Sequence, residues 1–294
     1  MTANLQPDFG VNPLPPAPTQ TGKREASPWA KNGLIAVVVF YLLLLLFVPA
    51  VSLFVQAFSN GIEGFLDTLT DRAFLSAVRL TLLMAVVTVP LNAVFGLCAA
   101  WAIARNKFPG RALLISILDL PFSISPVVAG LMIVLLYGRN GWFGPWLQAA
   151  DIKVLFALPG MLLATAFVTL PFVAREVIPT LEEIGSDQEE AAKILGANDW
   201  QTFWRVTLPS IRWSLLYGII LTNARAMGEF GAIVVVSGSI AGKTQTLPLF
   251  VEDAYKQYNT QSAYSAAVLL AGLAVVTLVL KEIMERKTQI KDAK

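Results

Sequence analysis

The sequence EEAAKILGANDWQTFWRVTLP, at residues 189–209, is the longest polar-rich interruption in a chain that is otherwise mostly apolar. It predicts two short helices joined by a tight turn. Ser186 and Glu189 have the spacing of a capping box, which predicts that the first helix begins near Asp187. Gly196 is placed to end that helix, because glycine adopts the left-handed C′ conformation without steric cost.

The second helix of this hairpin is predicted to begin at Asn198, a residue that caps helices well. It carries three aromatic side chains, Trp200, Phe203 and Trp204, and Pro209 is predicted to mark its end. Two interpretations follow from this pattern. The hairpin either docks against another protein or lies on the membrane surface, anchored by its aromatic residues.

The composition indicates an integral membrane protein. Of 294 residues, 55% are hydrophobic and only 14% are charged, whereas a soluble domain carries about 25% charged residues. The net charge of +2 is too small to indicate a nucleic-acid partner. The chain has no histidine, so it lacks the commonest metal ligand and the usual general base. Cys98 is the only cysteine, and we interpret it as a small packed apolar residue.

The apolar segments predict an all-α protein with six transmembrane helices, since about 20 residues cross the hydrocarbon. These segments are residues 33–58, 74–104, 112–137, 154–174, 211–236 and 263–284. The predicted organisation is a disordered proline-rich tail (1–30), a first transmembrane helix (31–58), a core (72–284) with a cytoplasmic loop (176–210), and a C-terminal tail (285–294).

The distribution of positive charge predicts the orientation. With six spans, fifteen of the 22 Lys and Arg residues, Arg175 among them, fall on one side and five on the other, while Arg79 and Arg225 lie inside spans. Because cytoplasmic loops are enriched in Lys and Arg, both termini and the hairpin are predicted to be cytoplasmic.

The third span contains Pro121 and Pro126, with the hydroxyls of Ser123 and Ser125 between them. This pattern predicts a broken or kinked helix. Two other prolines inside spans predict weaker kinks: Pro90 and Pro171. Broken helices at membrane depth are tolerated where they line a cavity or pack inside protein, so the break indicates a transport pathway. The alternative is that proline is simply commoner in membrane helices.

The fifth span carries Asn223, Arg225 and Glu229, polar groups in a segment that must cross lipid. Arg225 and Glu229 are four residues apart on one helical face and can neutralise each other. Gly228 and Gly231 flank the glutamate and permit close packing. One interpretation is an anion-conducting surface or a gate; the other is a structural ion pair that positions the helix.

A glycine-rich stretch at residues 238–244, GSIAGKT, superficially resembles a phosphate-binding loop. The motif needs four residues between its first glycine and the Gly-Lys pair, and this chain has three. A membrane span precedes the stretch instead of a strand. The sequence therefore predicts no nucleotide site and no catalytic cluster in this chain, which is predicted not to be an enzyme by itself.

The hairpin resembles the EAA loop of ABC importer permeases, whose pattern is E-A-A-x3-G-x9-I-x-L-P. Val206 replaces the isoleucine, and every other position agrees: Glu190, Ala191, Ala192, Gly196, Leu208 and Pro209. Four further stretches are similar to the sulfate/thiosulfate branch of that family: LDLPFSISPVVAG (118–130), YGRNG (137–141), NARAMGEFGA (223–232) and SGSIAGKTQTLPL (237–249). The last of these, with residues 253–259, most resembles the W-type subunit. The likeness covers about residues 30–285.

The resemblance implies a type-1 importer permease fold in the bacterial inner membrane. It implies a second, T-type permease, a periplasmic sulfate/thiosulfate-binding protein and a cytoplasmic ATPase dimer that binds ATP and Mg²⁺. The six EAA positions would dock on that ATPase, and membrane lipid would surround the spans. Asn223, Arg225, Glu229, Ser123 and Ser125 are the candidate pathway residues. A permease for molybdate, tungstate or another oxyanion remains open, as does a secondary anion transporter or channel.

Overall fold

The structure, a computed structural model, describes residues 28–292, and every regular element among them is helical. Residues 1–27 of the predicted disordered tail (1–30) lie outside the described residues. Fourteen α-helices and one π-helical turn lie within residues 28–292: α1 (Pro28–Ala57), α2 (Gly61–Thr70), α3 (Arg72–Arg105), α4 (Arg111–Ser123), α5 (Pro126–Tyr137), α6 (Gly144–Ala149), α7 (Leu158–Thr169), α8 (Pro171–Ile184), α9 (Asp187–Ile194), α10 (Asp199–Thr202), the π turn (Phe203–Thr207), α11 (Leu208–Met227), α12 (Gly231–Ser237), α13 (Leu247–Lys256) and α14 (Thr260–Asp292).

The chain divides into two compact units, residues 1–50 and 51–294. In the first unit the described residues form the greater part of α1, and every side chain from Lys31 to Ala50 is exposed. The second unit contains all the other helices.

The predicted all-α membrane architecture is confirmed. Four helical stretches are long and apolar enough to cross a membrane: Lys31–Ala57, Arg72–Arg105, Leu158–Ile184 and Thr260–Thr277. Two bent pairs pass the same test together: Arg111–Ser123 with Pro126–Tyr137, and Asp199–Met227 with Gly231–Ser237. These six correspond to the six predicted spans.

The predicted break in the third span is confirmed, because α4 and α5 meet at 109°. Ile124 and Ser125 are extended between them, with ψ of 133° and 135°. Pro126 explains this conformation, since proline excludes the helical conformation from the preceding residue. The weaker kinks produce no break: α3 continues through Pro90, and Leu170, before Pro171, keeps helical dihedral angles of −53° and −45°.

The predicted end of the second hairpin helix at Pro209 is wrong, because the helix continues from Asp199 to Met227. Proline lacks an amide hydrogen, and its ring clashes with the carbonyl four residues earlier. The π turn lies immediately before it and is closed by the Leu208 N–H, which donates to the Phe203 carbonyl. This wider turn lets the chain pass through the proline without ending the helix.

The core around the site is formed by α3, α8 and α11. A cluster of small and branched side chains fills the space between them: Ala100, Val173, Val177, Leu181 and Ile211. A Cβ atom at Gly96 would lie 2.8 Å from the Val173 Cβ, and one at Gly218 would lie 2.9 Å from the Val173 Cα. The two glycines therefore let three helices approach one another closely.

Candidate functional site: a polar hairpin and two broken spans

The hairpin turn has the geometry that its glycine predicts. Gly196 adopts a φ of +89°. The Ala197 N–H donates to the Ala192 carbonyl, and the Gly196 N–H donates to the Lys193 carbonyl, each at 3.0 Å. This is a Schellman motif, which satisfies the last carbonyls of α9 and reverses the chain within three residues.

The helix caps differ in part from the prediction. The Ser186 hydroxyl donates to Glu190 Oε1 at 2.6 Å and does not cap the helix, so the predicted pairing of Ser186 with Glu189 is wrong. Nevertheless α9 begins at the predicted residue. The second helix does have a capping box: Asn198 Oδ1 accepts from the Gln201 N–H at 2.8 Å, and Gln201 Oε1 accepts from the Asn198 N–H at 3.1 Å.

Glu189 instead anchors the base of the hairpin. Arg105, the last residue of α3, donates from Nε and Nη2 to its carboxylate at 3.0–3.1 Å. The third guanidinium nitrogen, Nη1, donates to the Leu181 carbonyl at 2.7 Å, and the Thr207 hydroxyl donates to Glu189 Oε1 at 2.8 Å. Side-chain exposure is only 11% for Arg105 and 15% for Glu189. This network joins α9 to the ends of α3 and α8 and to the π turn that precedes α11.

The tip of the hairpin faces away from the rest of the chain. Ile194 and Leu195 are 85% and 88% exposed, and no residue of α9 is buried. Beside the tip, Lys193 Nζ lies 2.8 Å from Asp199 Oδ1. The hydrogen bond to that carboxylate and its charge raise the pKa of Lys193 above its ordinary value. The lysine is therefore charged at neutral pH and pairs across the turn with the start of the second helix.

The six motif residues fall into two groups. Glu190, Ala191 and Gly196 are exposed and Ala192 is half-buried, all on the first helix and the turn. Leu208 and Pro209 lie at the opposite end of the hairpin, where it enters the fifth span. The structure therefore does not bring all six together on one surface.

The aromatic residues of the second hairpin helix pack on one another and beside α3. Trp200 and Trp204 meet edge to face, with ring centroids 5.6 Å apart. Together with Trp101 and Cys98 of α3 they line a groove of about 750 Å³. Cys98 is exposed and is not the packed core residue that the sequence predicts.

In the fifth span, Arg225 and Glu229 form the predicted ion pair, with 2.7 Å between Nη1 and Oε2. The other carboxylate oxygen of Glu229 accepts from the Ala232 N–H at 2.9 Å. Glu229 therefore joins the last turn of α11 to the first turn of α12 across their 51° bend. This geometry favours the structural interpretation for the buried glutamate. Arg225 is partly exposed.

The five candidate pathway residues do not form one cluster. Asn223 donates to Met227 Sδ at 3.5 Å and lines a groove with side chains of α3 and α14. Positions two apart on a helix point about 200° apart, so Arg225 projects from another face. Ser123 and Ser125 are exposed beside the break in the third span.

The two broken spans meet through glycine. A Cβ atom at Gly231 would lie 2.9 Å from the Pro126 Cβ, and one at Gly130 would lie 2.7 Å from the Ala232 carbonyl oxygen. The start of α12 thus packs directly on the start of α5. Contacts this close couple the positions of the two breaks.

The stretch at residues 238–244 uses its backbone donors internally. The N–H groups of Lys243, Thr244 and Gln245 all lie within hydrogen-bonding distance of the Ile240 carbonyl, at 2.9–3.2 Å. The Thr244 hydroxyl donates to the Ser237 carbonyl at 2.7 Å. This turn therefore does not present the outward-facing amide groups that cradle a phosphate.

Arg175 lies in a different place from the one predicted. The charge distribution assigns it to the cytoplasmic loop, but α8 continues past it to Ile184, so Arg175 lies inside a candidate membrane span. It pairs with Asp119 of the third span. The sequence analysis also missed Arg105 and Thr207. The position of Arg105 at the end of a span was the only available signal, because its partner lies 84 residues away.

Fold and site together define a multi-pass helical membrane protein with a polar helical hairpin between its fourth and fifth spans. The chain belongs to the family of binding-protein-dependent transport system inner membrane components, whose family model matches residues 92–290. It is therefore a membrane component of a transport system and not an enzyme. The predicted resemblance to ABC importer permeases is confirmed.

Two relatives and one solved structure are similar to this chain. It is 68% identical over 258 residues to the sulfate transport system permease protein CysW of Synechocystis, covering 88% of this chain and 94% of that protein. It is 40% identical over 238 residues to the sulfate transport system permease protein CysT of Escherichia coli, covering 80% and 86%. Among solved structures it resembles a bacterial alginate ABC transporter in complex with an alginate pentasaccharide-bound periplasmic protein. The TM-score is 0.75 at 18% identity, covering 88% of this chain and 95% of that chain. This last likeness concerns the fold alone.

Proposed function

We propose that this chain is a permease subunit of an ATP-driven importer whose substrates are sulfate and thiosulfate. It moves either anion across the bacterial cytoplasmic membrane. The exposed hairpin tip carries the proposal. Two large aliphatic side chains, Ile194 and Leu195, project into solvent from a rigid turn, and such a surface is typical of a docking site. The substrate is inferred from the near full-length similarity to a protein named as a sulfate permease.

The hairpin receives the energy of ATP hydrolysis from a separate ATPase. The thin, exposed face formed by Glu190, Ala191 and Gly196 fits into a groove of that partner. Leu208 and Pro209 act at the base, where movement of the hairpin passes into the fifth span. Arg105 and Glu189 make this base rigid, so that movement of the hairpin is transmitted to α3 and α11.

The remaining partners complete an alternating-access cycle. A second permease of the T type forms the other half of the pathway, and a periplasmic binding protein delivers the anion. Closure of the ATPase dimer on ATP and Mg²⁺ moves the hairpins, and hydrolysis resets them. Both termini and the hairpin lie in the cytoplasm in this arrangement.

Within the membrane, the two broken spans line the pathway. Ser123, Ser125 and Arg225 supply donors for the anion, Glu229 holds the bend, and Asn223 supports the fifth span from another face. The pathway role of Arg225 is tested by Arg225→Ala. If this variant assembles normally and imports sulfate at the wild-type rate, Arg225 is not part of the pathway.

The decisive experiment is uptake of labelled sulfate by a strain that lacks this chain, with and without its restoration. We expect restoration to recover uptake and the purified complex to contain a bound ATPase subunit. Recovery of molybdate uptake alone would contradict the proposed substrate. Sulfate transport without any associated ATPase would instead indicate a secondary transporter or channel.

A further inference from the structure

Arg175 and Asp119 form an ion pair inside two candidate membrane spans, the fourth and the third. Arg175 Nε lies 2.8 Å from Asp119 Oδ1. A second ion pair, Arg111 with Glu182, joins the same two helices. It connects the start of α4 to the end of α8. Asp119 lies eight residues after Arg111, and Arg175 seven before Glu182. At a rise of 1.5 Å per residue, the inner pair lies about 10–12 Å further along the two helices.

The inner ion pair is partly exposed. The side chain of Arg175 is 53% exposed and that of Asp119 is 35% exposed. A charge that faces lipid hydrocarbon is costly, about 2.5–3.5 kcal/mol at the bilayer centre on insertion scales and less toward the interface. Asp119 and the ring of Phe122 hold the guanidinium in place, with Arg175 Cζ 4.4 Å from the centroid of the ring. The side chain therefore does not extend toward the membrane–water interface. This face of the protein is therefore turned to water or to protein, and not to lipid.

The same face carries hydrogen-bond donors that are not in use. Within the described part of the chain, the guanidinium makes one hydrogen bond, from Nε, and its terminal nitrogens make none. Phe122, which lies under the guanidinium, directly precedes Ser123 at the break. The hydroxyls of Ser123 and Ser125 are exposed, and neither bonds to any other described residue. Free guanidinium and hydroxyl donors beside one carboxylate suit a passing oxyanion, because the planar guanidinium donates two parallel hydrogen bonds to paired oxygen atoms.

We propose that Arg175 contacts the transported tetrahedral oxyanion, and that Asp119 is the counter-ion that occupies the guanidinium when no anion is present. This inference rests on the function proposed above. The anion takes the place of Asp119 beside Arg175 and passes on when the carboxylate returns. Asp119 thereby keeps Arg175 extended toward the pathway and prevents the anion from being held too tightly.

The competing possibility is a structural latch between α4 and α8, and two single variants distinguish it. In a latch, Arg175→Gln and Asp119→Asn break the same pair and damage transport to a similar extent. In an anion contact the two effects differ. We expect Arg175→Gln to lower labelled sulfate uptake by at least about tenfold, because the charge-assisted contact is lost. We expect Asp119→Asn to keep most of the uptake, because the arginine remains.

The experiment uses the whole importer in proteoliposomes and measures both sulfate uptake and ATP hydrolysis. We expect Arg175→Gln to insert, to bind the ATPase and to hydrolyse ATP while uptake falls, and we expect Arg175→Lys to recover part of the uptake. Glu182→Gln, in the outer pair of the same helices, is the matched control and is expected to transport normally.

Three results would overturn the inference. Equal losses for Arg175→Gln and Asp119→Asn would indicate a latch. Wild-type uptake by Arg175→Gln would remove Arg175 from the pathway and leave the proposed function intact. If the unaltered protein itself carries no sulfate, the proposed function and this inference both fail.

Discussion

At the residue scale, two adjacent glutamates have opposite environments. Glu189 is enclosed by Arg105 and Thr207. Glu190, the glutamate of the EAA motif, is exposed and accepts only from the Ser186 hydroxyl among the described residues. The enclosed glutamate supports the hairpin, and the exposed one is available to a partner. The sequence motif identifies only the second, because the partners of Glu189 are distant in sequence.

Replacing Glu189 should destabilise the protein. Glu189→Gln leaves the Arg105 charge largely buried without its counter-ion, a change that costs about 3–5 kcal/mol when one member of a buried pair is removed. We expect a clearly lower melting temperature for the purified protein in detergent. Glu190→Gln is the control for stability and should melt close to the unaltered protein, since surface changes lie within about 0.5 kcal/mol. Equal melting temperatures for both variants would contradict the anchoring role.

Changes at the exposed hairpin face should affect docking and leave the fold intact. Ala191→Arg places a long charged side chain on a face that has no contact to lose. We expect the variant to insert and melt normally, to copurify with little ATPase and to lose sulfate uptake. Gly196→Asp should act similarly, because an aspartate at a φ of +89° is strained and alters the turn.

The matched control is Ala150→Arg, at an exposed alanine next to α6, far along the chain from the hairpin. It should keep both the bound ATPase and sulfate uptake. The docking role is wrong if Ala191→Arg, inserted normally, transports at the wild-type rate.

At the element scale, the third and fifth spans are each two helices, and their breaks pack together. The bends differ, at 109° and 51°, as do their causes. The first follows from Pro126, whereas the second follows from glycines and from Glu229, which holds the start of α12. Proline predicts a break directly, and the first break was therefore predictable from sequence. The second depends on a side-chain contact and was not.

The packing of the two breaks predicts a strong effect of one methyl group. Gly130→Ala would place its Cβ 2.7 Å from the Ala232 carbonyl oxygen, a backbone atom that cannot move aside easily. Overpacking of this kind costs about 1–3 kcal/mol. We expect a lower melting temperature and reduced sulfate uptake.

Gly272→Ala is the control, because no atom lies within 4 Å of the added Cβ in α14. It should be neutral or slightly stabilising, since alanine is favoured over glycine in helices by up to about 1 kcal/mol. If both variants melt at the same temperature, α5 and α12 do not pack as closely as described.

At the scale of the whole molecule, the charge distribution still predicts a cytoplasmic hairpin, although Arg175 leaves the cytoplasmic set for a membrane span. The remaining bias is large enough to predict the same orientation. Arg175 was misassigned because α8 is amphipathic near its end and the apolar pattern ends before the helix does.

The orientation can be measured with single cysteines. In a Cys98→Ala background, Lys243→Cys and Lys107→Cys each place one exposed thiol in a loop on a different predicted side. A membrane-impermeant maleimide added to spheroplasts should label Lys243→Cys at once and Lys107→Cys only after permeabilisation. The reverse pattern would contradict the predicted orientation of the whole chain.

The sequence by itself determined the membrane class, the six spans, the glycine turn of the hairpin and the break at Pro126. Each of these depends on apolar length or on the conformational limits of one residue, which are local properties. Tertiary structure alone decided that the helix continues through Pro209, that Glu189 binds Arg105 across 84 residues and that Arg175 binds Asp119 across 56. Those pairs depend on which helix faces meet, and close van der Waals packing of α3, α4, α8 and α11 selects the faces.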